Sequence, residues 1–445
     1  MFPRYSRTCF VILVSVVVIF FTVVMLLSFH EDLGERKKRT GTQDFKLGSW
    51  SWVFQKPIQD VEENTSVIYN ISKESLPWYF KGGLRMPQPS VRGLSGHQEA
   101  RLWPAEDPDS DRIENQLMFV PPDPIPAGKL KKILLMYGLY SWDAKPGTKV
   151  FAKCPVKSCS LTINRQDASN ADAILFKDYI THPGVKRPSS QVWILFHLES
   201  PPHTSRVDDQ YNSLVNWTAT YRRDSDIVTP YDKWVYWDPQ VTQYPGPLRD
   251  FAANKTGKVA WFVSNCGARN GRLQYAHELQ KYIQVDIYGA CGNLVCPRSI
   301  SEKCFDLLDK KYKFYLAFEN SNCKDYITEK FFVNGLKHKV LPIVMGARPE
   351  DYAKVAPKNS YIHVDDFESP KHLAKFLHKL DQDDDLYNSY FRWKDTGEYI
   401  DSGFFCRICS LLHADFPDKN YHEDMNKWWH ADGICTPNSW RDVNG

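Results

Sequence analysis

The sequence predicts an α/β protein of two Rossmann-like domains facing a cleft, preceded by one transmembrane helix and a stem. Three observations predict it. A run of twenty uncharged residues, Phe10 to Phe29, lies near the N-terminus. A polar stretch follows, with prolines at 87, 89, 104, 108, 121, 122, 124 and 126. After Gly128, short β-branched and aromatic runs alternate with helical, charged stretches, the pattern of parallel sheets covered by helices. At 445 residues the chain has room for two or three domains. Lysine plus arginine total 56 against 53 acidic residues, without the basic stripe that a duplex-binding surface needs, so nucleic acid is excluded as the expected partner.

Taken in order, residues 1–9 read as a cytoplasmic tail and 10–29 as a transmembrane signal anchor. At about 1.5 Å per residue the apolar run spans the roughly 30 Å hydrocarbon core. A cleaved signal would be shorter and end in small residues, whereas bulky Phe29, His30 and Glu31 follow here. Charge alone points the wrong way for orientation, because Arg36, Lys37, Lys38 and Arg39 outnumber Arg4 and Arg7. Four sequons, at Asn64, Asn70, Asn216 and Asn254, and an even ten of the eleven cysteines after the span favour a luminal C-terminal part. The expectation is a single-pass type II protein.

Residues 30–128 read as a luminal stem, part of which, such as Val120 to Pro126, has the option of packing on the head. An N-terminal domain over 129–247 and a C-terminal domain over 248–445 follow, divided near the YPGP segment Tyr244 to Pro247. Expected strands are Lys132 to Tyr137, Ala173 to Lys177, Val192 to His197, Val259 to Ser264, Val285 to Tyr288, Phe314 to Phe318 and Leu341 to Met345. Expected helices include Arg272 to Tyr282 and Thr328 to Leu336. Clefts between such halves bind nucleotides at strand C-termini, but no G-x-G-x-x-G or Walker A string says which one. The acidic run Asp381 to Asp385 reads as a solvated turn rather than a metal site.

Tyr315 to Lys330, YLAFENSNCKDYITEK, reads as a strand, then Glu319 and Asn320, a polar loop, and a helix opening near Thr328. Lys330 and free backbone N–H groups there suit a phosphate oxygen, and Glu329 suits sugar hydroxyls. Taken alone, a T-E-K string is more often a capped helix with a surface ion pair. The string has company, however: LESP at Leu198 to Pro201, YRRDSDI at Tyr221 to Ile227, SNCGARNGRLQYAHEL at Ser264 to Leu279 and DYITEK at Asp325 to Lys330. In this order, over about Leu130 to Cys409, the chain closely resembles the α1,3-fucosyltransferases, glycosyltransferase family ten. SNCGARN followed by YGAC at Tyr288 to Cys291 resembles the branch that fucosylates the innermost N-acetylglucosamine of N-glycans.

The resemblance implies a GT-B fold and inverting transfer from GDP-β-L-fucose as donor substrate onto N-glycoprotein acceptors at the Golgi membrane. Inversion in one displacement needs a base for the acceptor hydroxyl and stabilisation of the departing diphosphate. Glu199 matches the family's proposed base. Arg272 matches the diphosphate-binding arginine, whose planar fork suits phosphate oxygens, and Lys330 is the second cation. Asn320, Tyr326 and Glu329 carry over as fucose or ribose contacts, and Ser264, Asn265, Tyr221 and Arg222 as further members of the GDP-fucose pocket. Asp224 and Asp226 form a D-x-D, which holds manganese in another glycosyltransferase fold. With two side-chain cations serving the leaving group, no essential metal is expected, and stimulation by manganese stays open. His197 and His203 flank the base but read as structural.

Cys154, Cys159, Cys406 and Cys409 have the spacing of a four-thiolate zinc site, yet an oxidising lumen favours two disulfides. The resemblance implies cross-pairing of the two sets without assigning partners. Cys266, Cys291, Cys296, Cys304, Cys323 and Cys435 have room for up to three more bridges, of unreadable pairing. The Tyr421 to Trp440 tail, with Trp428, Trp429 and Trp440, is expected to pack on the N-terminal domain or to meet acceptor sugars. Two rivals stay open: an antennal α1,3-fucosyltransferase, and a non-catalytic Golgi glycan-binding protein.

Overall fold

The computed structural model describes residues 71–88, 101–140, 142–297, 299, 301–414 and 422–442. The expected tail 1–9, the anchor 10–29 and sequons Asn64 and Asn70 lie outside the described residues. Among the described residues no helix is long and apolar enough to cross a membrane.

Strands β1 (Lys131–Leu135), β2 (Cys159–Thr162), β3 (Ala173–Lys177), β4 (Val192–His197) and β5 (Trp217–Thr220) form the first sheet. Its order is β2-β1-β3-β4-β5 and every pair is parallel. Four of the five residues of AILFK in β3 and five of the six of VWILFH in β4 are buried, as a sheet covered on both faces requires. An edge strand, β6 (Lys233–Tyr236), leads into the second half. There β7 (Gly257–Phe262), β8 (Val285–Tyr288), β9 (Tyr312–Phe318), β11 (Leu341–Met345) and β12 (Ile362–His363) form a second parallel sheet, ordered β12-β11-β9-β7-β8; the two-residue β10 (Asn322–Cys323) lies between β9 and β11 in sequence. All seven residues of β9, YKFYLAF, are buried at its centre. Val259, Trp261, Phe314, Leu316 and Ile343 form its core with Leu279 of the helix Arg272–Gln280 and Leu373, Leu377 and Leu380 of the helix Pro370–Gln382. The architecture is therefore α/β with two parallel Rossmann-like sheets.

The boundaries differ from the expected ones in two places. First, within the expected stem, residues 71–88 and 101–118 are built into the head. Phe80, Ile113 and Leu117 share a core with Ile400. The buried Arg112 guanidinium donates to the carbonyls of Arg223 (2.6 Å) and Ser225 (2.8 Å), and Gln116 Nε2 donates to those of Leu102 and Asp226, both at 2.8 Å. These four bonds offset the cost of burying the donors. Second, the chain returns to the first half after the second sheet. β13 (Gly397–Ile400) pairs antiparallel with β6, and the helix Phe404–Leu412 carries Cys406 and Cys409 to disulfides with Cys154 and Cys159.

The remaining disulfides are Cys266–Cys291, Cys296–Cys304 and Cys323–Cys435, so all ten cysteines after the apolar run are paired. The tail then runs along both halves. Asn426 exchanges hydrogen bonds with the Val207 backbone, Trp429 Nε1 donates to Thr204 Oγ1 at 2.7 Å, β14 (Cys435–Thr436) pairs with β10, and Trp440 Nε1 donates to the Gly346 carbonyl at 2.9 Å. The acidic run is solvated as expected, with residues 382–385 exposed, but it is a helix junction rather than a turn: Asp381 pairs with Lys258 at 2.6 Å, Asp384 with Lys313 at 2.8 Å, and Asp383 caps the helix Asp384–Ser389.

Of the described sequons, Asn254 is exposed. Asn216 is not available to a glycan in this fold. It is 2% exposed, its Oδ1 accepts from the Trp193 N–H at 2.8 Å and from Arg187, and it leads directly into β5.

Candidate active site

Glu199 stands two residues past the end of β4, before the turn Pro201–His203. Its Oε1 accepts from the Ser200 N–H (2.8 Å), the Ser200 hydroxyl (3.2 Å), the Tyr326 hydroxyl (2.7 Å) and Asn320 Nδ2 (3.2 Å). Two of these donors come from the second half, so one carboxylate oxygen joins both sheets at their C-terminal rims. Among the described residues no donor reaches Oε2. Beside it, Ser200 Oγ, Ser321 Oγ and His203 Nδ1 form a triangle with sides of 2.9, 3.0 and 3.2 Å. His203 thus braces the rim and does not bond Glu199. His197 is fully buried and stacks on Trp429 with centroids 5.4 Å apart. Burial pushes its pKa down to about 4, against the pull of Asp178, so its ring is neutral.

On the facing rim, Glu319 follows β9 with no exposed surface. Its Oε1 accepts from the Thr328 N–H and its Oε2 from the Thr328 hydroxyl, both at 2.8 Å. Lys330 Nζ lies 3.1 Å from Glu319 Oε2, 3.1 Å from Glu329 Oε1 and 2.9 Å from Thr328 Oγ1. Burial works against the Lys330 charge, but the two carboxylates outweigh it and hold the ammonium above the usual lysine range. Thr328 also caps the short helix Glu329–Phe331 that carries the pair. Room for Glu319 comes from Gly346, just past β11: its φ is +152°, and a Cβ there would sit 2.5 Å from Glu319 Cγ. Glu319 is not among the expected site residues, although a lone carboxylate closing the apolar run Phe314–Phe318 is a signal for it.

Arg272 opens its helix after Gly271, whose φ of +72° suits the glycine. Its guanidinium is buried and donates to the carbonyls of Phe318 (2.9 Å) and Asn265 (2.7 Å), while Nε has no partner among the described residues. Burial lowers its pKa and Glu319 opposes that, leaving a cation as arginine remains in proteins. Ser264 is exposed and Asn265 half-buried just past β7, in a loop tied down by Cys266–Cys291. Tyr221 is buried with its ring 5.1 Å from that of Tyr326, and its hydroxyl has no partner among the described residues. Asn320 Oδ1 is likewise buried and unpartnered among them.

Arg222 is placed differently. Its Nε and a terminal nitrogen bond Asp224 at 2.9 and 2.5 Å, its other terminal nitrogen donates to the Trp428 carbonyl at 2.7 Å, and the guanidinium covers the Trp428 ring at 4.0 Å. Arg222 anchors the tail. Asp226 accepts from the Thr218 N–H and hydroxyl and lies 2.9 Å from His422 Nε2. Both D-x-D carboxylates are therefore occupied by protein partners. The metal-type grouping of Cys159, Cys409 and His413 has its two sulfurs in a disulfide.

The family description "Fucosyltransferase, N-terminal" matches residues 129–232, and "Glycosyltransferase family 10 (fucosyltransferase) C-term" matches residues 252–428. Glycoprotein 3-alpha-L-fucosyltransferase A of Drosophila melanogaster is 58% identical over 377 residues, covering 82% of this chain and 74% of that protein. The 4-galactosyl-N-acetylglucosaminide 3-alpha-L-fucosyltransferase FUT6 of Homo sapiens is 38% identical, covering 58% of this chain and 72% of that protein. A solved structure, "Crystal Structure of alpha1,3-Fucosyltransferase with GDP-fucose", aligns with 67% of this chain and 95% of that chain at 14% identity and a TM-score of 0.42, and adds nothing to the fold read from the strands. With both halves matched in register with the two sheets, and a relative this similar over most of its length, the chain belongs to glycosyltransferase family 10, the fucosyltransferases.

Proposed function

We propose that this chain is a glycoprotein 3-alpha-L-fucosyltransferase, an inverting enzyme that moves L-fucose from GDP-β-L-fucose to the 3-hydroxyl of the innermost, Asn-linked N-acetylglucosamine of N-glycans. The observation that carries the reading is the 58% identity to the Drosophila glycoprotein enzyme over 82% of the chain, against 38% over 58% for the human galactosyl-N-acetylglucosaminide enzyme.

The geometry supports the chemistry. Glu199 Oε1 is saturated by donors, which leaves Oε2 to take the proton of the acceptor hydroxyl as it attacks the fucose anomeric carbon. Lys330 and Arg272, on the opposite rim, meet the charge that develops on the departing diphosphate, where fixed cations are most effective. Glu319 holds the Lys330 ammonium in place. Asn320, Tyr326 and Glu329 contact fucose or ribose hydroxyls, Tyr221 adds its unpartnered hydroxyl, and Ser264 and Asn265 line the nucleotide end. Arg222 acts at one remove, through Asp224 and the Trp428 carbonyl. Two side-chain cations take the leaving charge, so the reading assigns no essential metal. The five disulfides support a secretory lumen, and the apolar run Phe10 to Phe29 supports a type II anchor in the Golgi membrane.

The test incubates the chain lacking residues 1–55 with GDP-fucose and either an N-glycopeptide bearing terminal N-acetylglucosamine or a lactosamine trisaccharide, with fucose placed by mass spectrometry. Fucose on the innermost residue is expected. Transfer only to lactosamine would move the enzyme to the antennal class, and GDP-fucose binding without any transfer would leave a glycan-binding protein.

A further inference from the structure

We infer that a shelf of stacked tyrosines on the rim of the first sheet, Tyr137 and Tyr179, is an acceptor subsite that takes the face of the pyranose ring adjoining the sugar that reacts. The inference rests on the fucosyltransferase reading above, and deepens it on the acceptor side.

β1, β3 and β4 are consecutive neighbours in a parallel sheet, with Leu135 opposite Leu175 and Lys177 opposite Phe196. Tyr137, Tyr179 and Glu199 each stand two residues beyond the end of their strand. They therefore lie along one rim in the order Tyr137, Tyr179, Glu199. Adjacent strands are about 4.8 Å apart, close to the length of one sugar residue, so a saccharide seated with its reacting hydroxyl at Glu199 passes its next ring over Tyr179.

The shelf is fixed yet open. The Tyr137 and Tyr179 rings stack with centroids 4.4 Å apart and planes 25° apart, and the Tyr137 hydroxyl donates to the Tyr179 carbonyl at 2.7 Å. Tyr137 is half-buried against the core of the first sheet and backs one face of Tyr179. Tyr179 is nonetheless 54% exposed, and Tyr140, three residues along the loop from Tyr137, is 65% exposed. Aromatic faces held rigidly in water match the apolar C–H face of a pyranose, with ring edges and hydroxyls left to polar partners. One such partner is adjacent: Asp178, turned by a φ of +67°, presents Oδ1 with His197 Nδ1 as far as 3.9 Å away, while Oδ2 takes Lys177 at 2.9 Å.

The experiment compares wild type with Tyr179→Ala and Tyr179→Phe on the N-glycopeptide acceptor. Tyr179→Ala is expected to raise the acceptor KM on the order of tenfold, with the GDP-fucose KM and the melting temperature unchanged. Tyr179→Phe, which keeps the ring, should stay within about twofold of wild type by the same stacking argument. An unchanged acceptor KM in Tyr179→Ala overturns the shelf, as does an equal rise in both KM values. Glycopeptide binding in the presence of GDP, read by saturation-transfer NMR, separates the two readings. Binding that depends on Tyr179 without fucose transfer by wild type sinks the transferase reading alone, and transfer indifferent to Tyr179 sinks the shelf alone.

Discussion

Glu199→Gln isolates the proposed base without disturbing its surroundings. All four hydrogen bonds to the side chain end on Oε1, and glutamine can place its carbonyl oxygen there. The Ser200, Asn320 and Tyr326 donors keep an acceptor and lose only the charge assistance, worth about 1–2 kcal/mol in all. The melting temperature should fall by about 2–8 °C, at about 2–4 °C per kcal/mol for a domain of roughly 150–250 residues. At the Oε2 position, however, an amide N–H₂ replaces the one oxygen without a donor among the described residues. The variant cannot accept a proton there, and loss of a positioned base costs about 10²–10⁴ in rate, or about 3–5 kcal/mol in the barrier. Steady-state kinetics should show this in kcat, with the GDP-fucose KM within about threefold, since the donor cations lie on the other rim. A kcat within tenfold of wild type would refute Glu199 as base. A large kcat loss together with a collapse in melting temperature would refute the claim that the contacts survive.

Three further outcomes follow from other parts of the fold. A chain beginning at Lys129 should express poorly or melt well below one beginning at Lys56, because it strips Arg112, Ile113, Gln116 and Leu117 from the head; equal melting temperatures would sink that reading. His197 has a folded pKa of about 4, below the ordinary value of about 6.5, so the unfolded chain binds the proton more readily between the two. Stability from this group is complete above about pH 6.5 and falls by about 3 kcal/mol as pH drops to about 4, a loss that His197→Phe, retaining the stack on Trp429, should flatten in a melting series across that window. Asn254→Gln should remove one endoglycosidase-sensitive mobility shift, whereas Asn216→Gln should leave mobility unchanged and lower the melting temperature; a shift lost with Asn216 would contradict the burial.

The parts of the fold that were legible are those where one strand declares itself. VWILFH and YKFYLAF are apolar on both faces, and seven such runs marked seven of the ten strands in the two parallel sheets. β2 (CSLT), β5 (WTAT) and the two-residue β12 are short and half polar, so nothing local separates them from loops. The packing of residues 101–118 on the head is hard to see in the sequence for a related reason. Prolines at 121 to 126 look like a linker, while the buried helix Ile113–Met118 has only six residues, too few to display a period. At the site, the residue-by-residue resemblance picked out Glu199, Asn320, Tyr326, Glu329, Lys330 and Arg272, all of which lie at the two facing strand rims. Arg222 reads from the sequence as a member of the GDP-fucose pocket because the carbonyl and ring that hold it belong to Trp428, 206 residues away.

That same non-locality explains how the tail comes to bear on the chemistry. Trp440 Nε1 holds the carbonyl of Gly346, and Ser439 and the Trp440 N–H bond the Asp365 carboxylate. Gly346 is the residue whose missing side chain makes space for Glu319, and Glu319 in turn holds Lys330. Three contacts thus lead from the last helical turn of the described chain to the cation assigned to the leaving diphosphate. At its other end the tail places Trp429 against His197 and Tyr221, the latter packed on the Tyr326 that orients Glu199. Glu199 and Lys330 belong to different halves, and the tail bonds residues of each half, Thr204 and Val207 in the first and Gly346 and Asp365 in the second. Removing Cys323–Cys435, which fastens it midway, should therefore affect the relation between the two rims more than either rim alone, because each sheet's own core includes neither cysteine.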